Sequence, residues 1–282
     1  MSRNSNALSE SEPTLRLITE YVRRLGFEPA PGEIGFVRGL YLYGSAVSPA
    51  GLKPHSDLDL LLVTSRSLRS EQRLGLVRML LGVSGWSGHA DTYPEVAHRR
   101  PVELTSVVAH ERTPRTDFQY GEWLRAELVG AVAGPDAFGV SESDESADVV
   151  ILLANALSAN RALLGSRLDS LVGPVSTEML GEAIVSTVPE VLENLPGDER
   201  NAILTLARML VTLESGEIVS KDDAATIVAP NLPQPWQRLL VRARADYLGL
   251  NDDEAGGLTE TFADLAELAR ELASRIHGVA RR

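Results

Sequence analysis

The chain has 282 residues, 44% of them hydrophobic and 23% charged, with a mean hydropathy of −0.04, which is the profile of a soluble globular protein of one or two domains. It contains no cysteine, so disulfides, thiolate catalysis and cysteine-ligated zinc are excluded. With 39 acidic against 27 basic residues the net charge is −12, which argues against a nucleic-acid partner held through its phosphates and suits a small cationic ligand.

Taken in order, Leu15, Leu17, Ile18, Tyr21, Val22 and Leu25 recur at helical spacing after Ser-Glu-Pro at 11–13 and predict a helix over 13–26. The start MSRNSNALSESEPTLRL has no signal-peptide core, and no window reaches the roughly 18 apolar residues of a membrane span. The expectation is a cytoplasmic monomer with no membrane or nucleic-acid partner. GLYLY at 39–43 predicts a strand, LKPHS a loop, and residues 58–64 a second strand beside the first. A helix fits 71–81, with Leu74, Val77 and Leu81 on one face. PVELTSVV at 101–108 predicts a third strand, in which Val102 and Leu104 point one way and Glu103 and Thr105 the other.

The glycine-rich, acidic stretch GAVAGPDAFGVSESDESA at 130–147 marks a domain boundary, because strand signals disappear beyond it. The expected architecture is an α/β domain over 1–146, a mixed sheet with flanking helices, followed by an all-α domain over 147–282. Helices are predicted at 147–165, 177–194, 198–214, 221–228, 235–248 and 258–277, with Asp198 and Ser220 as N-caps.

Chemistry concentrates in LYGSAVSPAGLKPHSDLDLLLV at 42–63. A strand that is otherwise apolar begins with Asp57 and Asp59, and an ionised carboxylate beside a core must be solvated, paired or holding a cation. Carboxylates at i and i+2 offer hard oxygen ligands on one face, suited to Mg2+ that keeps its other positions for water and phosphate. Gly44 and Ser45, directly after a strand, let backbone and hydroxyl approach phosphate oxygens. Glu103, from an adjacent strand, can deprotonate an oxygen nucleophile or share the metal. A DxD alone equally describes a solvated strand end; the combination is what points to nucleotidyl transfer. No GxGxxG follows a strand, no GxxxxGK[ST] occurs, and the histidines at 55, 89, 98, 110 and 277 lack HExxH spacing.

The 42–63 stretch resembles the nucleotidyltransferase signature of the polymerase-beta superfamily, and more narrowly the aminoglycoside adenylyltransferases that modify spectinomycin and streptomycin. Further similarity lies in VELTSVV, FQYGEWLRAEL at 118–128, GDERNAILTLARML at 197–210, SGEIVSKDDAA at 215–225 and ARADYLGL at 243–250. The resemblance implies ATP as co-substrate, two Mg2+ ions held by Asp57, Asp59 and Glu103, and Glu103 as catalytic base on the antibiotic hydroxyl. It also implies that Ser45, Ser56, Asp148, Arg208, Thr212, Lys221 and Tyr247 serve the nucleotide, and that Glu103, Trp123, Asp198 and Asn201 line the drug pocket, with the helical domain closing over ATP. The residues alone also allow plainer roles. A single Arg or Lys on a helix is ordinarily solvated, Trp123 reads as a core aromatic, and Asp198 reads as a helix cap.

Dual-specificity members of the family place a tryptophan and an aspartate ahead of GDE. Here the stretch is VPEVLENLPGDERN, with no tryptophan and Asn194 at the aligned position. The resemblance therefore implies adenylylation of the 9-hydroxyl of spectinomycin and poor use of streptomycin. Glu190 or Glu193 could replace the missing carboxylate, so a dual streptomycin 3'' and spectinomycin 9 specificity stays open, as does a regulatory nucleotidyltransferase acting on a protein.

Overall fold

The computed structural model describes residues 3–28, 35–48, 51–54, 56–86, 88, 90–109, 115–121, 124, 128–130, 132, 147–250 and 262–281. The chain divides into two compact units, one of Met1–Leu52 with Ser56–Pro174 and one of Lys53–His55 with Val175–Arg282.

The first unit opens with helix α1 (Arg3–Val22), which starts well before the expected position and carries Pro13 inside it. An internal proline removes one helical hydrogen bond; packing of Leu8, Leu15, Ile18 and Val22 against the core offsets that loss. Strands β1 (Val37–Tyr43), β2 (Leu58–Thr64), β3 (Val102–Val108), β4 (Thr116–Tyr120) and β5 (Asn160–Gly165) form one sheet in the order β4-β3-β2-β1-β5. The β2/β3 pair is parallel and the other pairs are antiparallel, so the sheet is mixed. Helix α2 (Ser70–Leu81) lies in the crossover that a parallel pair requires.

Register explains the two faces. Leu40 and Leu42, Leu58, Leu60 and Leu62, Val102 and Leu104, and Phe118 and Tyr120 fall on one face and pack with Leu76, Val77 and Leu80 of α2 and the buried side of α1. The opposite face carries Tyr41, Asp59, Glu103, Thr105 and Gln119. Leu58, Leu60, Leu61, Leu62 and Val63 are all fully buried. At about 2 kcal/mol each, their burial outweighs the cost of seating a half-buried carboxylate at the start of a central strand.

Helix α3 (Ala147–Ser158) ends just before β5 begins, so the helix expected over 147–165 is 12 residues of helix followed by 6 of strand. β5 pairs with the free edge of β1, and Tyr41 donates a 2.6 Å hydrogen bond to the Ser166 carbonyl just beyond it. Because β5 belongs to the sheet, the compact units divide at Pro174/Val175 rather than at 146/147. The segment Lys53–His55 is a second departure, since it clusters with the later unit.

The second unit holds α4 (Thr177–Glu193), α5 (Glu199–Ser215), α6 (Lys221–Val228), α7 (Gln234–Tyr247) and α8 (Phe262–Ala280). Helix α5 is its centre: Ala202, Ile203, Leu204, Leu206, Ala207, Met209, Leu210 and Val211 are buried among the other helices. Between residues 201 and 212 the half-exposed positions are Asn201, Thr205 and Arg208, which with the buried Thr212 follow one another at three- and four-residue steps. That spacing draws a single polar stripe down an otherwise buried helix.

Candidate active site

Asp59 and Glu103 are register partners on the parallel β2/β3 pair. Side chains paired in this way leave the same face of adjacent strands, which run about 4.8 Å apart, so the backbone ladder alone brings the two carboxylates side by side. Both are half-buried. Asp57 precedes β2 by one residue and is also half-buried. Its neighbourhood is fixed by the Leu58 amide, which donates to the Pro101 carbonyl at 2.9 Å, and by Arg100, which donates to the carbonyl of the buried Ser56.

Gly44 ends β1 beside them. Its φ of +66° is left-handed, and a Cβ there would sit 2.2 Å from Asp59 Oδ2. Any side chain would therefore collide with the carboxylate and strain the backbone. Ser45 follows in the 3-10 turn Gly44–Val47, with its hydroxyl oxygen buried and without a hydrogen-bond partner among the described residues. A buried hydroxyl costs free energy until something bonds to it. A glycine pressed against a carboxylate and an unsatisfied serine hydroxyl make a cradle of the kind a phosphate with its cation fills.

The donor set fits Mg2+, which binds through one or two carboxylates and completes its sphere with water and phosphate oxygens. Among the described residues, however, the structure gathers no group of three or more His, Cys, Asp or Glu side chains that could hold a metal by themselves. The register fixes Asp59 and Glu103 as neighbours, with Asp57 two positions ahead of Asp59.

In the second unit the structure joins residues that the sequence assigned to different tasks. Lys221, the first residue of α6, donates to Asn201 Oδ1, and Asn201 Nδ2 donates to Asp198 Oδ2 at 2.9 Å. The chain Lys221, Asn201, Asp198 links an expected nucleotide contact to the two expected drug contacts of this unit. Asp198 stands at the N-cap position of α5 but its side chain caps nothing; its carboxylate is engaged by Asn201 instead, which corrects the cap assignment. Ser220 does cap α6, accepting from the Asp223 amide at 3.2 Å. Arg208 and Thr212 lie one turn apart on α5, and Tyr247 is the last residue of α7. Asn194 closes α4 through its amide, donating to the Glu190 carbonyl at 3.0 Å, and its side chain is exposed like that of Asp198.

Asp148 lies in the first turn of α3; the residue as a whole is exposed, yet protein atoms packed around its carboxyl desolvate it and raise it above the ordinary range. Trp123 lies outside the described residues, as does His55. Sequence reasoning did not anticipate β4, which sets Gln119 opposite Thr105 on the carboxylate face. Alternation in VELTSVV placed Thr105 correctly, but β4 had no turn signal to reveal it. Arg100, which holds the Ser56 carbonyl, was likewise unread.

The family model for the aminoglycoside adenylyltransferase C-terminal domain matches residues 170–274. A spectinomycin 9-adenylyltransferase from Staphylococcus aureus is 39% identical over 225 residues, covering 78% of this chain and 81% of that protein. An aminoglycoside (3'') (9) adenylyltransferase from Escherichia coli is 32% identical over 248 residues, covering 85% and 88% respectively. Among solved structures, a spectinomycin adenyltransferase from Enterococcus with ATP and spectinomycin superposes with a TM-score of 0.78 at 26% identity, over 94% of this chain and 99% of that one.

Proposed function

The chain belongs to the aminoglycoside adenylyltransferase family, and from that premise we propose that it transfers AMP from ATP to the 9-hydroxyl of spectinomycin. The observation that supports the reading is the Asp59/Glu103 register pair beside Gly44, two carboxylates next to a tight glycine turn and the buried Ser45 hydroxyl. Glu103 accepts the proton of the attacking hydroxyl. The hydroxyl oxygen bonds to the α-phosphorus, the bond to the bridging oxygen breaks, and pyrophosphate leaves. Asp57, Asp59 and Glu103 are the residues that would hold Mg2+, which when bound neutralises charge on the triphosphate.

The remaining assignments belong to the same proposal. Ser45, Ser56, Asp148, Arg208, Thr212, Lys221 and Tyr247 hold the nucleotide. Trp123, Asp198 and Asn201 hold the antibiotic, whose positive charge suits the carboxylate of Asp198 and the net charge of −12. A cytoplasmic monomer is part of the same proposal.

Spectinomycin is favoured over streptomycin because the α4–α5 turn offers Asn194 where a guanidinium would need an anion. A charge-assisted hydrogen bond contributes on the order of 1.5 to 3 kcal/mol, or roughly ten- to a hundredfold in binding. The test incubates purified protein with ATP, Mg2+ and each antibiotic and weighs the products. Spectinomycin should gain one AMP and streptomycin little. Efficient modification of both would establish dual specificity, with Glu190 or Glu193 supplying the anion, and modification of neither would sink the proposed substrate.

A further inference from the structure

The loop ahead of the aspartates holds a buried ion pair that the reaction as described does not use. Lys53 Nζ lies 3.5 Å from Asp222 Oδ2, and the two side chains are only 10% and 9% exposed. Asp222 is further held by the Ser220 hydroxyl, which donates to its Oδ1 at 2.8 Å, and its carbonyl accepts from Arg244 Nε of α7 at 3.0 Å. The next residue, Pro54, packs against the turn that follows α7. There Gly249 has a φ of +65°, and a Cβ on it would come within 3.0 Å of Pro54 Cγ. Lys53 and Pro54 thus dock on the start of α6 and on the end of α7 within the second unit, while Leu52 and Ser56 on either side of the segment belong to the first.

Stability does not account for this pair. Burying two charges costs about as much as their attraction returns, and apolar residues of similar size would serve a core equally well. What a buried pair adds is a unique geometry. The geometry at stake is specific here: Asp222 adjoins Lys221, and Gly249 follows Tyr247 by two residues. Each residue docked by the loop is within two positions of a group assigned to the nucleotide.

We propose that Lys53, through its ion pair with Asp222, is a positioning residue for the nucleotide: it holds the first turn of α6, which presents Lys221, in its working conformation. The inference rests on the adenylyl-transfer reading and goes beyond it by assigning a role to the Lys53/Asp222 ion pair.

The test compares wild type with Lys53→Met, Lys53→Arg and Asp222→Asn, measuring ATP affinity by calorimetry with Mg2+, KM for ATP and for spectinomycin, and thermal unfolding. Small displacements far from the reacting atoms can cost up to about a hundredfold, so Lys53→Met should weaken ATP binding by about tenfold or more while KM for spectinomycin changes much less. Lys53→Arg should restore most of the affinity. In a double-mutant cycle the effects of Lys53→Met and Asp222→Asn on ATP binding should be strongly non-additive. A Lys53→Met protein that melts earlier but binds ATP like wild type would reduce the pair to a structural contact and overturn the proposal. If Lys53→Met does not fold, Asp222→Asn decides alone, and unchanged ATP affinity there overturns it as well. Failure of the wild-type protein to bind ATP would instead sink the reading beneath it.

Discussion

The two units hold their functional groups in different ways. In the sheet unit, Asp59 and Glu103 are neighbours because backbone register makes them so. Every hydrogen bond along β2/β3 supports that placement, and no side-chain contact is needed to create it. In the helical unit, Lys221, Asn201 and Asp198 come from a helix start, a neighbouring helix and the residue before it, and side-chain hydrogen bonds align them. A ladder-fixed group should tolerate changes around it and be sensitive mainly to its own chemistry. A network-fixed group should lose alignment when any member is cut, with a smaller effect spread over both substrates.

The largest expected effect tests the ladder-fixed group. Glu103→Gln keeps shape and register but cannot take a proton, and general-base loss costs about a hundredfold or more in turnover. ATP affinity should fall far less than turnover, because Asp57 and Asp59 keep two carboxylates for Mg2+. Wild-type turnover in this variant, measured by pyrophosphate release, would show that the register pair does not supply the base and would remove the contrast at its root.

A smaller effect is expected from Asn201→Ala, which cuts the network at its middle. Loss of charge-assisted hydrogen bonds should lower kcat/KM about tenfold. KM for ATP and for spectinomycin should both rise, because Lys221 and Asp198 are released together. An effect confined to one substrate would mean that the two ends act independently and that the chain of hydrogen bonds carries no coupling.

The smallest effect lies at the sheet edge and concerns stability. Burial first, and the charge of Asp169 second, raise the Tyr41 hydroxyl from 10.0 to about 12. The folded state therefore keeps a proton that the unfolded chain releases above pH 10, so stability is intact below that point and falls as pH rises toward 12. The loss is on the order of 2 kcal/mol from this group. Tyr41→Phe should be somewhat less stable at neutral pH, having lost the bond to the Ser166 carbonyl, yet should show a shallower alkaline decline in denaturant titrations. Equal slopes for the two proteins would contradict the assignment.

Much of this was legible before any fold was known. Alternation in LDLLLV and VELTSVV put carboxylates on the polar side of apolar strands, and β2 begins at the expected residue. Helices at 177–193, 199–215 and 221–228 follow from apolar periodicity and the punctuation of LVGP, LPGD and ESGE. These are local properties: side-chain period and turn chemistry act within a few residues, so the sequence carries them directly.

Other features depended on partners far along the chain. NRALLG has neither an apolar run nor a turn ahead of it, and it is a strand because the edge of β1 offers it hydrogen bonds. That single pairing moves the division between units to Pro174/Val175. Asp198 has the residue type and position of a cap, yet Asn201 takes its carboxylate. Lys53 reads as a loop lysine until Asp222, 169 positions later by their numbers, buries it. The sequence by itself determined which chemistry the carboxylates and the glycine-serine turn can perform, since that follows from residue type and local period. Only the tertiary structure decided which side chains meet, because hydrogen bonds and ion pairs between distant segments depend on the packing that brings them into reach.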